Sequence, residues 1–307
     1  MLSKTKADKV IKKVFSNSKI IGIKKLKKGI INENYDIKIK NPRKNLILRI
    51  YPNDEWKAKK EAYIYNLISK KINVPVPTVY AVDVSKRILP NAYSLLSKIE
   101  GNELNIVYKK TKNKKLAKQA GEILAKIHTI KFPYFGWIMG DNIQPKFNKW
   151  QDFIFYDLNE KIDKLSKIRN VSKRIITKSL EYIDDKKELL KINSRPCLLH
   201  KDYHSSHILA DKENITGIID VEWAIAGHNE LDLIKSEWWM FEVLPEIKKP
   251  FFDGYKRHGT ISKKFNQRKK IYELILLLGL VSLSYEKKSK RRFDCNLNKT
   301  KMILGLK

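Results

Sequence analysis

The sequence predicts an α+β protein of two unequal lobes. Strand-length apolar segments crowd the first hundred residues around a single helical segment. After Gly101 the pattern turns helical, and nowhere do strands and helices alternate as they do in a doubly wound parallel sheet. The lobes are expected over residues 1–97 and 98–307, with the boundary falling near Ser97 to Gly101.

Residues 20–26 and 35–39 alternate or run apolar at strand length, and so do residues 46–50. Pro42-Arg43-Lys44-Asn45 reads as the turn before the last of these. Residues 56–68 have helical spacing, with Ala58, Ala62, Tyr65 and Leu67-Ile68 as the apolar stripe. Pro75-Val76-Pro77 excludes helix and forces an extended segment. Residues 92–99 form a further strand, stopped by Glu100-Gly101. Beyond it, residues 115–130 carry Leu116, Ala120, Ile123-Leu124 and Ile127 on one helical face, and 151–192 is a lysine-rich helical stretch. Residues 197–209 and 215–219 are short apolar segments flanking polar turns, and 230–306 is mostly helical. No internal repeat or low-complexity linker interrupts this order.

The 307 residues carry a formal charge of +31, but only ten of the 64 basic residues are arginine. Arginine is the residue that reads phosphate and base edges bidentately, so a lysine excess is weak evidence for nucleic acid. The distribution matters more. Between His200 and Glu246 ten acids face three bases, a net of −7, which leaves +38 on the rest. Two cysteines, Cys197 and Cys295, are too few for a disulfide framework or a cysteine metal site and fit the reducing cytosol, so a cytoplasmic protein is expected. The N-terminus lacks an apolar secretory core. The most apolar run, residues 274–281, is much shorter than the roughly 20 residues of a membrane span and reads as a core helix.

The densest polar sequence is His200-Lys201-Asp202-Tyr203-His204-Ser205-Ser206-His207, followed closely by Ile219-Asp220-Val221-Glu222. Apolar pairs bracket both, so Asp202 and Asp220 sit in loops with buried flanks. Taken singly, Asp202 is a turn former and Asp220 a strand-end cap. As a pair they offer what phosphoryl transfer needs, one carboxylate to accept a hydroxyl proton and one to hold Mg²⁺ on nucleotide phosphates. Three histidines in this stretch invite a zinc reading, which the lack of a flanking cysteine weighs against.

The segment resembles the aminoglycoside phosphotransferase and choline kinase superfamily, small-molecule kinases with a protein-kinase-like fold. His200-Lys201-Asp202 stands in its His-Gly-Asp-x-x-x-x-Asn motif, and Ile219-Asp220-Val221-Glu222 in Ile-Asp-Trp/Phe-Glu. The resemblance runs through most of the chain. Gly29 to Tyr35 is similar to the nucleotide loop Gly-x-x-Asn-x-x-Tyr, which implies a nucleotide role for Asn32. Leu48-Arg49-Ile50-Tyr51 and Lys60-Glu61-Ala62 resemble the strand and helix whose basic and acidic residues pair at the phosphates. Val74 to Pro77, Ile99-Glu100-Gly101 and Gly121 to His128 follow in order at family-like spacing.

The implied fold is bilobal, a small antiparallel sheet plus one helix followed by a larger helical lobe. The implied roles make Asp202 the catalytic base and Asp220 the principal Mg²⁺ ligand. Arg49, paired to Glu61, would bind phosphates of the co-substrate, ATP or GTP, and the Ser97-Lys98-Ile99 hinge would bind adenine through backbone groups of Ser97 and Ile99. Asp232, in Glu230-Leu231-Asp232-Leu233, takes the position that braces the catalytic loop.

The chain departs from the pattern in three places. Lys201 replaces glycine, Gly29 is the single glycine of the nucleotide loop, and His207 replaces the metal-binding Asn. Imidazole ligates divalent ions but suits Mg²⁺ less well than oxygen does. The acidic segment with its aromatics, Glu237-Trp238-Trp239-Met240-Phe241-Glu242, slightly favours a cationic acceptor, an aminoglycoside or amino alcohol, with Glu222, Glu237 and Glu242 as candidate substrate contacts. Antibiotic resistance is one implied role. Three alternatives stay open: a macrolide-type kinase suggested by His207, a nucleotide-binding pseudokinase if Lys201 and His207 disable transfer, and a nucleic-acid-binding protein on the basis of +31 alone. Neither nucleic acid nor membrane is expected as a partner of the kinase.

Overall fold

The structure is a computed structural model that describes residues 2–26 and 31–306. It opens with a helix, α1 (Lys4–Lys12), capped by the Ser3 side chain on the Lys6 amide (3.2 Å). Strands β1 (Lys19–Lys25), β2 (Glu33–Lys40) and β3 (Lys44–Tyr51) form antiparallel hairpins. Helix α2 (Trp56–Lys71) follows, then β4 (Val79–Asp83) and β5 (Ala92–Ser97). The five strands make one antiparallel sheet in the order β1-β2-β3-β5-β4. Thus the N-terminal part carries α1 in addition to the one helix expected. Only Ala7, Val10 and Ile11 of α1 face the sheet, too short an apolar stripe among lysines to stand out.

The period of two along β3 does the positioning. Leu46, Leu48 and Ile50 join Tyr35, Ile37, Ile39 and α1 in one core. Arg49 and Tyr51, on the opposite face, meet α2. Helix α2 is itself shared, since Ile64, Tyr65 and Ile68 belong to the larger core of the following half.

After Gly101 the chain forms β6 (Asn102–Glu103), α3 (Leu104–Thr111), α4 (Lys114–Ile127), β7 (Gly136–Trp137), α5 (Trp150–Ser166) and α6 (Lys173–Asp184). Two small sheets then carry the polar loops. Strand β8 (Cys197–Leu199) leads into the first of them; β9 (Ile208–Ala210) leaves it; β10 (Ile215–Ile218) leads into the second, and β11 (Ile225–Gly227) pairs back with β8 and β7. Helix α7 (Glu230–Ser236) runs on as a π-turn over Glu237–Phe241, before α8 (Lys248–Tyr255), α9 (Phe265–Glu286) and α10 (Lys290–Ile303). Among the described residues no helix is long and apolar enough to cross a membrane.

Helices α4 and α8 touch backbone to backbone. A Cβ on Gly121 would lie 1.9 Å from the Phe251 carbonyl oxygen, and one on Gly254 1.9 Å from that of Lys118. Since backbone cannot rotate aside, the helices must separate. Gly121→Ala is expected to destabilise by roughly 1–3 kcal/mol. Urea unfolding would show this as a lower midpoint, and an unchanged midpoint would contradict the contact.

Candidate active site

The loop after β8 holds its shape through one buried carboxylate. Asp232 accepts hydrogen bonds from the backbone amides of His200 (2.7 Å) and Lys201, and from the His128 Nε2–H (3.1 Å). The Tyr255 hydroxyl donates to His128 Nδ1 (2.8 Å), which joins α4, α7 and α8 at this point. His200 accepts from the Asp202 amide at Nδ1 (3.3 Å) and donates from Nε2 to the Ile219 carbonyl (3.0 Å), tying the first polar loop to the second. Lys201 (φ +63°) and Asp220 (φ +66°) both lie in the left-handed region. For Lys201 this explains why glycine suits the position, and a lysine held there stores local strain.

The two loops bring Asp202 and Asp220 to either side of one imidazole. His207 Nδ1 lies 3.0 Å from the Asp202 carbonyl oxygen and 3.4 Å from its Oδ2, while His207 Nε2 lies 3.5 Å from Asp220 Oδ2. With Nδ1–H donating to Asp202, the Nε2 lone pair faces Asp220, a two-donor claw for a divalent cation. Asp202, His204 and His207 each also offer a donor atom within 4.8 Å of the others. However, the Ser206 amide donates to His204 Nδ1 (3.3 Å), leaving the proton on Nε2, which turns a donor and not a lone pair toward Asp202.

Asp202 has a further partner that the sequence reading missed. The Lys235 ammonium, from α7, sits 3.1 Å from Asp202 Oδ1 and 3.7 Å from the centre of the Trp239 ring. Burial alone would raise the Asp202 carboxyl, but Lys235, with His204 and His207, overrides it and holds the group well below the usual carboxylate range. A lone basic residue three positions after Asp232, in a segment otherwise acidic, was the available signal.

On the side of the five-stranded sheet, Arg49 is the hub. Its guanidinium contacts Glu61 (3.1 Å), Asp220 (2.9 Å) and Glu222 (3.6 Å). Glu61 also accepts from the Tyr51 hydroxyl, and burial, only partly offset by Arg49, pushes its carboxyl up to about 7. Asp220 goes the other way: burial would raise it, but Arg49 and His207 together lower it, while its amide donates to the Tyr65 hydroxyl (2.9 Å). Asn32 donates to Glu222 (2.9 Å), and its own Oδ1 is buried without a hydrogen-bond partner among the described residues. Gly29 lies outside the described residues. At the hinge, the Ser97 amide donates to Thr78 (2.9 Å) and that of Lys98 to Asn45 (3.0 Å). Among the described residues the Ile99 amide makes no backbone hydrogen bond.

The expected substrate carboxylates all have basic partners. Glu222 is held by Asn32, Arg49 and Lys57; Glu237 by Lys248 (2.9 Å) and Lys269 (3.3 Å); and Glu242 by Lys299 (3.5 Å). The segment that is acidic in sequence is therefore largely neutralised in space, by lysines from α8, α9 and α10. Cys197 is buried beneath this region and burial pushes its thiol up to about 12, so it is inert.

A five-stranded sheet whose arginine reaches across a helix glutamate to a loop carboxylate, with a second carboxylate opposite, defines a small-molecule phosphotransferase fold. Residues 22–264 match the phosphotransferase enzyme family, APH, and the chain belongs to it. A probable aminoglycoside 3'-phosphotransferase of Lactococcus lactis subsp. lactis (strain IL1403) is 33% identical over 92 residues, which cover 29% of this chain and about a third (34%) of that protein. Among solved structures, a thermostable mutant of aminoglycoside phosphotransferase APH(4)-Ia, in ternary complex with AMP-PNP and hygromycin B, superposes with a TM-score of 0.77 at 16% identity over 98% of both chains. A putative fructosamine-3-kinase from Thermobifida fusca YX-ER1 gives 0.72 at 15% identity over 97% of this chain and 100% of that one. These likenesses speak for the fold.

Proposed function

We propose that the protein transfers the γ-phosphoryl group of ATP or GTP to a hydroxyl of a small molecule, with the nucleotide on residues 1–97 and the acceptor on residues 98–307. The observation that carries this reading is the convergence of Asp202 and Asp220 on His207, with Arg49 fixed by Glu61 on the nucleotide side. A relative of the same fold was crystallised with AMP-PNP, which supports a nucleotide co-substrate. The donor set fits a divalent ion, since Asp220 Oδ2 and the His207 Nε2 lone pair face one another. Mg²⁺, when bound there, neutralises phosphate oxygens as charge develops.

Within this reading Asp202 orients the acceptor hydroxyl and takes its proton. Lys235 on its Oδ1, with the two imidazoles near its Oδ2, keeps that carboxylate ionised. Arg49 holds phosphate oxygens as a fixed cation, and the Glu61 contact stops it collapsing onto Asp220 alone. The Ile99 amide, without a backbone acceptor among the described residues, is the hinge donor for a purine edge.

The acceptor is either an aminoglycoside or amino alcohol, or a less cationic hydroxyl compound. Lys235 beside the base, with Glu237 and Glu242 already paired to lysines, favours the second. Purified protein incubated with ATP or GTP and a panel spanning aminoglycosides, amino alcohols, macrolides and neutral sugars is expected to give acceptor-dependent nucleoside diphosphate and a new phosphomonoester signal by ³¹P NMR. Nucleotide binding without turnover on any acceptor would replace this reading with that of a pseudokinase.

A further inference from the structure

One group of buried charges has no part in the chemistry above. Lys60, on α2, is 1% exposed, yet among the described residues no carboxylate lies within ion-pair distance of it. Its ammonium instead faces two indoles, Trp56 at 5.2 Å and Trp137 at 5.7 Å from the ring centres. Lys201 faces the same Trp137 ring from the catalytic loop, at 4.3 Å, and likewise lacks an ion-pair partner among the described residues. Nearby acids are taken. Asp54 (2.8 Å) and Glu222 (3.7 Å) hold Lys57, and Asp157 holds Lys161.

Two ammonium groups around one ring, one of them buried and neither with a carboxylate partner among the described residues, are costly unless an anion completes them. Cation–π contact offsets part of that cost and leaves the net charge of the cluster unchanged. The backbone adds to the argument, since Lys201 holds a left-handed conformation that glycine would adopt without strain. Exposure rises across the cluster: Lys60 is buried, Lys201 and Trp137 are half-buried, and Trp56 is 39% exposed.

We propose that Lys60, Lys201 and Trp137 form an anion site, separate from the nucleotide and acceptor sites, that binds a phosphate group. An occupant there joins α2 to the catalytic loop, one residue away from Glu61 on one side and from Asp202 on the other. Burial and the neighbouring lysines lower Lys60 to about 7, and burial lowers Lys201 to about 8, both of which a bound dianion would reverse.

The test is thermal unfolding of the full chain saturated with Mg²⁺ and AMP-PNP, so that the nucleotide site is filled, at constant ionic strength. Inorganic phosphate at tenfold its Kd is expected to raise Tm by about 3 °C. In Lys60→Met and in Lys201→Gly the rise should disappear. Lys60→Met removes a buried charge, so its own Tm without phosphate should be no lower than that of the parent, which separates loss of the site from loss of the fold. An equal rise in both variants, or none in the parent, overturns the proposal. Glycerol phosphate run alongside identifies the source: tighter binding than inorganic phosphate assigns the site to a phosphorylated metabolite resting on Trp56, and equal binding assigns it to the free ion.

Discussion

Asp202→Asn is expected to lower kcat by about three orders of magnitude while nucleotide affinity stays within about threefold. Asparagine keeps the shape of the side chain but cannot accept the hydroxyl proton, and Asp202 touches neither Arg49 nor Glu61 in the structure. Its pH dependence is equally specific. Because Lys235, with His204 and His207, overrides burial and holds the carboxyl below its ordinary range, the parent should show no acid limb from this group above about pH 4. Lys235→Met leaves burial unopposed by the ammonium, so the carboxyl rises and activity should fall as pH falls through its new value. A profile of kcat/KM against pH for both proteins checks this. Full turnover in Asp202→Asn would remove the residue from the role of base, and identical acid limbs would remove Lys235 from its support.

The second large effect concerns the metal. His207 donates from Nδ1 to the Asp202 carbonyl (3.0 Å), which fixes the tautomer and turns Nε2 toward Asp220 (3.5 Å). A nitrogen donor shifts preference from Mg²⁺ toward Mn²⁺ and later divalent ions, whereas an amide oxygen shifts it back. His207→Asn is therefore expected to lower the ratio of Mn²⁺ to Mg²⁺ affinity by roughly tenfold. Manganese EPR with Mg²⁺ competition, in the presence of AMP-PNP, reads the ratio without turnover. A ratio unchanged by the substitution would show that the imidazole does not touch the ion.

How much of this was legible beforehand depended on whether the cause was local. The alternation of Tyr35, Ile37 and Ile39, and of Leu46, Leu48 and Ile50, specifies two strands and their inward faces, and the structure has both. Strand β4 was not foreseen because all but one of its residues are only half-buried, so no alternation marks it. Asp202, Asp220, Arg49, Glu61 and Asn32 stood out through motif spacing, and the fold draws them together. Lys235, Lys60 and Trp137 did not, because what distinguishes each is a neighbour far away in the chain. The pairing of the acidic segment was hidden for the same reason. A count along the sequence could not include Lys248, Lys269 and Lys299, which come from later helices.

The Asp232 network and the π-turn beside it divide the molecule's responsibilities. Asp232, His128 and Tyr255 fasten the loop after β8 into the core, close to where Gly121 and Gly254 let α4 and α8 touch. Loosening any of them costs folding. Trp239, by contrast, is partly exposed on the π-turn, where it edges His204 at 5.5 Å and carries the Lys235 ammonium at 3.7 Å, outside the Asp232 network. Substitution of Trp239 therefore reaches Asp202 through Lys235 while leaving in place the hydrogen bonds that hold the loop.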